Sequence, residues 1–223
     1  MAKELKNSDK HLVFFDFDNT ITAWDVLDDM LTRFSSNYDW LEFEEKWEKG
    51  EIGSRECLEG QIKGIRTTKE ELDKYLDTIK LDPYFKKLRN FLDSKGKKII
   101  ILSDNFDYIL NYVLKHNNIH GIDVYCNQIE LSEGRLMPSF PYNDEGRCGR
   151  CAHCKKISIK RLNNPGAVTV YIGDGLSDIC ASEYADIVYA KGVLKDYLKE
   201  KGIEHIPING LKDVYEHFQG SLS

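Results

Sequence analysis

No run among the 223 residues approaches the roughly 18 apolar side chains that cross a bilayer, which excludes a membrane-spanning helix. A basic excess is missing as well: 31 Lys and Arg stand against 37 Asp and Glu, a formal charge of −6. That argues against nucleic acid or an anionic membrane as partner, since nothing would neutralise a row of phosphates. A small phosphorylated ligand is still allowed, because one metal ion and one lysine can hold it. Internal repeats and low-complexity linkers are absent too. The N-terminal MAKELKNSDK is followed by only LVFF before Asp16, too short a run for a secretory signal, so a cytoplasmic location is expected.

What is present is a series of short apolar runs. Residues 11–17 (HLVFFDF), 97–103 (KKIIILS), 167–173 (AVTVYIG) and 186–190 (DIVYA) are apolar on successive positions. Such runs suit strands of a parallel sheet covered on both faces. Helical spacing fills the gaps between them over 105–115, 154–162, 176–184, 192–201 and 211–218. Asp82-Pro83 predicts an N-cap and first turn for a helix running to residue 94. Alternating strands and helices predict an α/β fold with a doubly wound, Rossmann-like parallel sheet. Residues 23–80 carry Trp24, Phe34, Trp40, Phe43 and Trp47 among many charges and contain no strand-like run. Ser54 and Thr68 read as helix N-caps there, so a small helical bundle is expected directly after the first strand. The expected division is a core of residues 1–22 and 81–223 with a helical domain at 23–80.

Ligands of open α/β sheets bind outside the carboxyl ends of the strands. Three predicted strands end in polar residues: Asp16 and Asp18; then Ser103, Asp104 and Asn105; then the run from Gly173 through Asp174 to Asp178. One such end is ordinary turn chemistry. Three at one edge form an acidic cluster that calls for a divalent cation, and an all-oxygen donor set suits Mg2+. Six cysteines include CGRCAHC at 148–154. In a reducing compartment this spacing points to metal more than to disulfides, and Cys148, Cys151 and Cys154 with Cys126 or His153 would form a tetrahedral Zn2+ set. Free thiols, or disulfides formed on oxidation, are the alternatives.

The DFDNT and GDGLSD stretches, with Ser103 between them, resemble the signatures of the haloacid-dehalogenase-type phosphatases. The resemblance covers the predicted core and implies the chemistry. Asp16 would attack phosphorus to form an aspartyl-phosphate, and Asp18 would protonate the leaving alcohol. Asp16, the Asp18 carbonyl and Asp174 would hold Mg2+. Ser103 and Lys155 (or Lys156) would bind the transferring oxygens, and Asp178 would orient the lysine or the water shell of the metal. Asn19 and Thr20 would offer backbone N–H groups to the phosphoryl group, with Gly175 beside it.

The helical insertion resembles the cap of the phosphoserine-phosphatase-like branch, which implies a small phosphorylated metabolite as substrate. Asp25, nine residues after Asp16, is placed where that branch carries an acid facing an amino group; a helix cap is the plainer explanation. Asp104 is similar to a residue of the phosphocholine and phosphoethanolamine phosphatases, which makes those two esters the first expectation. The methionine-salvage enol phosphate, phosphoserine (with Arg33, Arg55 or Arg66 on its carboxylate) and pyridoxal phosphate are the alternatives. A non-catalytic phosphate or metal sensor on the same fold is the reading from a different class.

Overall fold

A computed structural model describes residues 11–143 and 149–222. Its centre is a seven-stranded sheet of β1 (His11–Phe15), β2 (Lys98–Phe106), β3 (Asp123–Ser132), β4 (Arg135–Ser139), β5 (Val168–Gly173), β6 (Ile187–Ala190) and β7 (Ile206–Pro207). The order across the sheet is β4-β3-β2-β1-β5-β6-β7, and every neighbouring pair is parallel except β3 with β4. This is the expected doubly wound α/β sheet, with a strand order that reverses at β1.

Strand β1 is buried at all five positions, and its side chains divide between two cores. Val13 and Phe15 join Ile99, Ile101, Val170 and Ile172 on one face, while Leu12 and Phe14 join Ile100, Leu102 and Tyr171 on the other. The period of two explains how continuous apolar runs fill both faces. The first core is closed by α5 (Phe85–Ser94), α6 (Asp107–His116) and α10 (Leu211–Leu222). The second is closed by α7 (Lys155–Leu162) and α8 (Ile179–Ser182), through Ile159 and Ala181. Helix α9 (Gly192–Glu200) buries Leu194 and Leu198 in a third, smaller cluster.

Between β1 and α5 lie α1 (Val26–Phe34), α2 (Trp40–Glu48), α3 (Ser54–Ile62) and α4 (Lys69–Leu76), none of which contributes to the sheet. The chain leaves and returns side by side, with Thr22 bridged to Leu81 and Ala23 N–H donating to Lys80 O at 2.9 Å. Helices α1 and α4 extend the first core through Val26, Met30, Leu31, Leu72 and Leu76. Helix α2 buries no residue fully, whereas α3 buries Cys57, Leu58, Gln61 and Ile62. Among the described residues no helix is long and apolar enough to cross a membrane.

Several local expectations are corrected. Helix α5 starts at Phe85 with Tyr84 at its N-cap, because Asp82 instead turns the chain by accepting from Tyr84 N–H at 2.8 Å. Gly53, not Ser54, is the N-cap of α3, whereas Thr68 caps α4 in a full capping box with Glu71. The 176–184 helix is a short 3-10 turn followed by one turn of α8. Strands β3 and β4 were not foreseen. They form an antiparallel hairpin at the edge, turned by Glu133 and Gly134, both at positive φ.

The packing of Phe85 on Phe15 joins α5 to β1: the rings meet edge to face at 5.8 Å and both are fully buried. Phe85→Ala should cost about 3–5 kcal/mol, the usual range for such a truncation, measured by denaturant unfolding. A loss below about 1 kcal/mol would contradict this packing account.

Candidate active site

The carboxyl ends of β2, β1 and β5 lie side by side, and the β1–β5 ladder runs one residue further, with Asp16 N–H donating to Ile172 O at 2.9 Å. This puts Asp16 at the sheet edge beside the turn that follows β5. Lys155, the first residue of α7, reaches the same point and is 2% exposed. Its ammonium lies 2.6 Å from Asp16 Oδ1 and 2.6 Å from Asp178 Oδ1, and 3.3 Å from Ser177 Oγ. Burial alone would lower the pKa of Lys155, but the charges of Asp16 and Asp178 hold it well above the usual lysine value. Of Lys155 and Lys156, it is Lys155 whose ammonium lies at the carboxylates.

Asp178 is itself fixed by four donors. Oδ1 accepts from Lys155 and from the Tyr171 hydroxyl at 2.6 Å; Oδ2 accepts from Asp174 N–H and Gly175 N–H at 2.9 and 3.0 Å. Gly173 makes the approach possible, since a Cβ there would sit 2.5 Å from Asp178 Oδ2. Tyr171, in the middle of β5, points to the same sheet face as α7 and reaches Asp178 from beneath.

Asp174 accepts from Asn19 Nδ2 and Thr20 Oγ1, both at 2.7 Å. Asn19 adopts φ 49°, a left-handed conformation that asparagine tolerates. This corrects one expectation: the backbone N–H of Asn19 goes to Trp24 O and that of Thr20 to Phe17 O, so neither is offered to a ligand. The two residues serve the site through their side chains. Asp18 turns away from Asp174; Asn105 Nδ2 lies 3.1 Å from each of its oxygens, and Val26 N–H at the start of α1 donates to Oδ1 at 3.0 Å. Asn105 is held in turn by the irregularity in β2, its N–H donating to Ser103 Oγ at 3.0 Å. Ser103 is fully buried under this turn.

The charge balance bears on the metal. Burial, then the charge of Asp178, holds Asp16 well above the ordinary carboxylate range against the pull of Lys155. Burial and then Asp25 do the same to Asp18. Burial and Asp178 push Asp174 up to about 6. One lysine therefore does not offset these carboxylates. Oxygens of Asp16, Asp174 and Asp178 lie within 4.8 Å of one another, a hard donor set that fits Mg2+. Asp178 already has four donors, which leaves Asp16 and Asp174 as the side chains that could hold such an ion.

A cavity of about 130 Å³ separates this edge from the insertion. Asp16, Asp18, Asp104, Asp174, Gly175 and Ser177 line its floor; Asp25, Asp28, Glu44, Trp47, Leu58 and Gln61 line its roof. Asp25 is the N-cap of α1 and also lines the cavity wall. Burial and then Asp28 push it up to about 6, and burial and then Glu44 push Asp28 to about 6. Glu44 is raised by burial and accepts from Gln61 Nε2 at 2.6 Å. Asp104 is not a helix cap; it lies inside β2 and accepts from His153 N–H at 3.3 Å. Asn105, Tyr171, Glu44, Trp47 and Gln61 were missed. Asn105 stood beside Ser103 as a signal, whereas the facing of the roof residues depends on how the helices pack.

The zinc reading finds no support. Cys148 lies outside the described residues, and among these no group of thiols and imidazoles gathers. His153 is already engaged, with Nδ1 3.1 Å from Ser103 O and Nε2 2.7 Å from Ser158 Oγ, and burial pushes it down to about 3. Cys126 is buried in β3.

Relatives match nearly the whole of this chain. The chain is 26% identical over 207 residues to the 2-hydroxy-3-keto-5-methylthiopentenyl-1-phosphate phosphatase of Bacillus velezensis, covering 91% of this chain and 87% of that one. It is 27% identical over 214 residues to the enzyme of the same name from Geobacillus thermodenitrificans, covering 94% and 96%. It is also 29% identical over 210 residues to the bifunctional enzyme MtnB/MtnX of Bacillus licheniformis, where it matches 92% of this chain but 48% of that longer protein. A substrate-bound phosphoserine phosphatase has the same fold, with a TM-score of 0.69 and 19% identity over 93% of this chain and 98% of that one. The model of the haloacid dehalogenase-like hydrolases matches residues 13–183, and the chain belongs to that family.

Proposed function

We propose that the chain is a Mg2+-dependent phosphomonoesterase that hydrolyses a small metabolite through an aspartyl-phosphate on Asp16. The observation that carries this reading is the buried Lys155 bridging Asp16 and Asp178 at the floor of the cavity between sheet edge and insertion. Residues 23–80 act as a cap over a core of residues 1–22 and 81–223. Asp16 is the nucleophile: Lys155 fixes one carboxylate oxygen, and the residue lines the cavity. Asp18 is the proton shuttle. Its raised pKa favours donation to the leaving alcohol, and Asn105 and Val26 N–H steady the carboxylate that results. Lys155 offsets charge developing on the phosphoryl oxygens, and Asp178 and Ser177 keep it in place. Ser103 supports Asn105 through its hydroxyl. Mg2+, held by Asp16, Asp174 and the Asp18 carbonyl, would supply further charge stabilisation and orient the phosphoryl group.

For the substrate, the names of the relatives favour 2-hydroxy-3-keto-5-methylthiopentenyl 1-phosphate over the phosphoethanolamine and phosphocholine that the sequence put first. Leu27, Trp47, Leu58 and Leu176 in the wall supply apolar surface for a methylthio tail. One observation favours the aminoalcohol esters as a second reading. Asp25, Asp28 and Glu44 face the cavity, and no lysine or arginine is among its lining residues. The same charge disfavours the carboxylate of phosphoserine. Arg33 pairs with Asp29, and Arg66 donates to Lys63 O and Ile65 O.

Asp16→Asn should lose at least about 10³-fold in kcat on p-nitrophenyl phosphate with Mg2+, along with the covalent phosphoenzyme seen by mass spectrometry. Wild-type turnover in that variant would refute the nucleophile assignment. A panel of phosphomonoesters ranked by kcat/KM should place the enol phosphate first; phosphoethanolamine in front would select the second reading. In that case KM for the amine ester should rise as pH drops below about 6, where Asp25 and Asp28 take up protons, while KM for a neutral-tailed ester stays level. Parallel profiles for the two esters would rule out recognition of the amine by these acids.

A further inference from the structure

Between β4 and α7 the described chain resumes at residue 149 and runs as a strap to Lys155, the first residue of α7. This strap is tied to the α2–α3 tip at successive points. Arg150 Nη2 donates to Gly50 O at 2.7 Å and to Ile52 O at 2.9 Å. Arg55 N–H donates to Arg150 O at 3.2 Å. Ala152 N–H donates to Ser54 Oγ at 2.8 Å. At the centre of the contact Gly53 allows an approach that no other residue would: a Cβ there would lie 2.2 Å from Arg150 O. Its φ of −89° is ordinary for any residue, so glycine is required here by space and not by backbone conformation.

The strap continues into the catalytic floor. His153 N–H donates to Asp104 Oδ1 at 3.3 Å, its ring is held between Ser103 O and Ser158 Oγ, and Lys155 N–H donates to His153 O at 2.9 Å. Two residues beyond His153 stands the lysine that bridges Asp16 and Asp178. Lifting the tip would remove the partners of Arg150 and Ala152 together.

We infer that Gly53 and Ser54 are positioning residues which tie closure of the α2–α3 tip to the placement of Lys155, so that the site is complete only with the tip seated. The inference rests on the phosphatase reading for its consequences in turnover, but not for the latch itself. Helix α2 buries no residue fully, so its end is held to the strap by polar contacts, while α3 is seated on the first core through Leu58 and Ile62.

The test compares Gly53→Ala, Ser54→Ala and Ser54→Thr with wild type. Amide hydrogen exchange at Arg55 and Ala152 should quicken in Gly53→Ala and Ser54→Ala, with β1 and β5 unchanged. On p-nitrophenyl phosphate, kcat should fall about 10- to 100-fold in both with KM little changed, the scale expected when a catalytic group is misplaced by about an ångström. Ser54→Thr, which keeps the hydroxyl, should restore both readouts. Wild-type exchange and wild-type kcat in Gly53→Ala would overturn the inference. Should Gly53→Ala fail to fold, the alanine and threonine variants of Ser54 decide it, equal kcat in the two counting against the latch. If wild type hydrolyses no phosphomonoester, the phosphatase reading falls, and the exchange rates still decide the latch.

Discussion

The bridge from Lys155 to Asp16 and Asp178 is the interaction on which the rest of the site depends. A lysine that is 2% exposed is tolerable only if its charge is met by well-placed partners. Here two carboxylates meet it at 2.6 Å, from opposite sides of the β1–β5 junction. Asp178 can hold its place because Tyr171 and two backbone N–H groups share the work, and because Gly173 lets the carboxylate come close. The phenol of Tyr171 is delivered by the period of two in β5, and the lysine by the first turn of α7. Sheet and helix packing are thus what aim these three groups, and breaking one partner would strand buried charge on the others.

The arrangement holds more negative charge than a purely structural network would. Asp16, Asp18 and Asp174 are all pushed above the carboxylate range by burial, and the roof adds Asp25, Asp28 and Glu44. A fold seeking only stability would not bury carboxylates with one lysine between them. On the proposed function, this excess is what a cation on the floor would offset.

Much of this was legible in the residues themselves. The continuous apolar runs gave four strands within a residue or two at most ends, because a strand covered on both faces cannot alternate. The carboxylates at their ends identified the floor, because strand order brings the ends of β1, β2 and β5 together. Strands β3 and β4 escaped notice because an edge hairpin reads as alternation around Glu133-Gly134 and not as an apolar run. The start of α5 was misjudged because Asp82 uses its carboxylate on Tyr84 N–H, a turn that imitates a cap in sequence. The roles of Asn19 and Thr20 were assigned to the backbone, whereas their side chains reach across 155 and 154 positions to Asp174. No local pattern encodes such a contact, nor which faces of α1, α2 and α3 turn toward the cavity.

The central claim is that the carboxylates left over by Lys155 form a Mg2+ site at the phosphoryl position. It is tested most directly by calorimetric titration of Mg2+ into the wild-type protein and into Asp174→Asn. The account predicts a single saturating site in wild type that is lost in the variant, with the fold of the variant intact by circular dichroism. Equal binding by both proteins, or none by wild type, would contradict it.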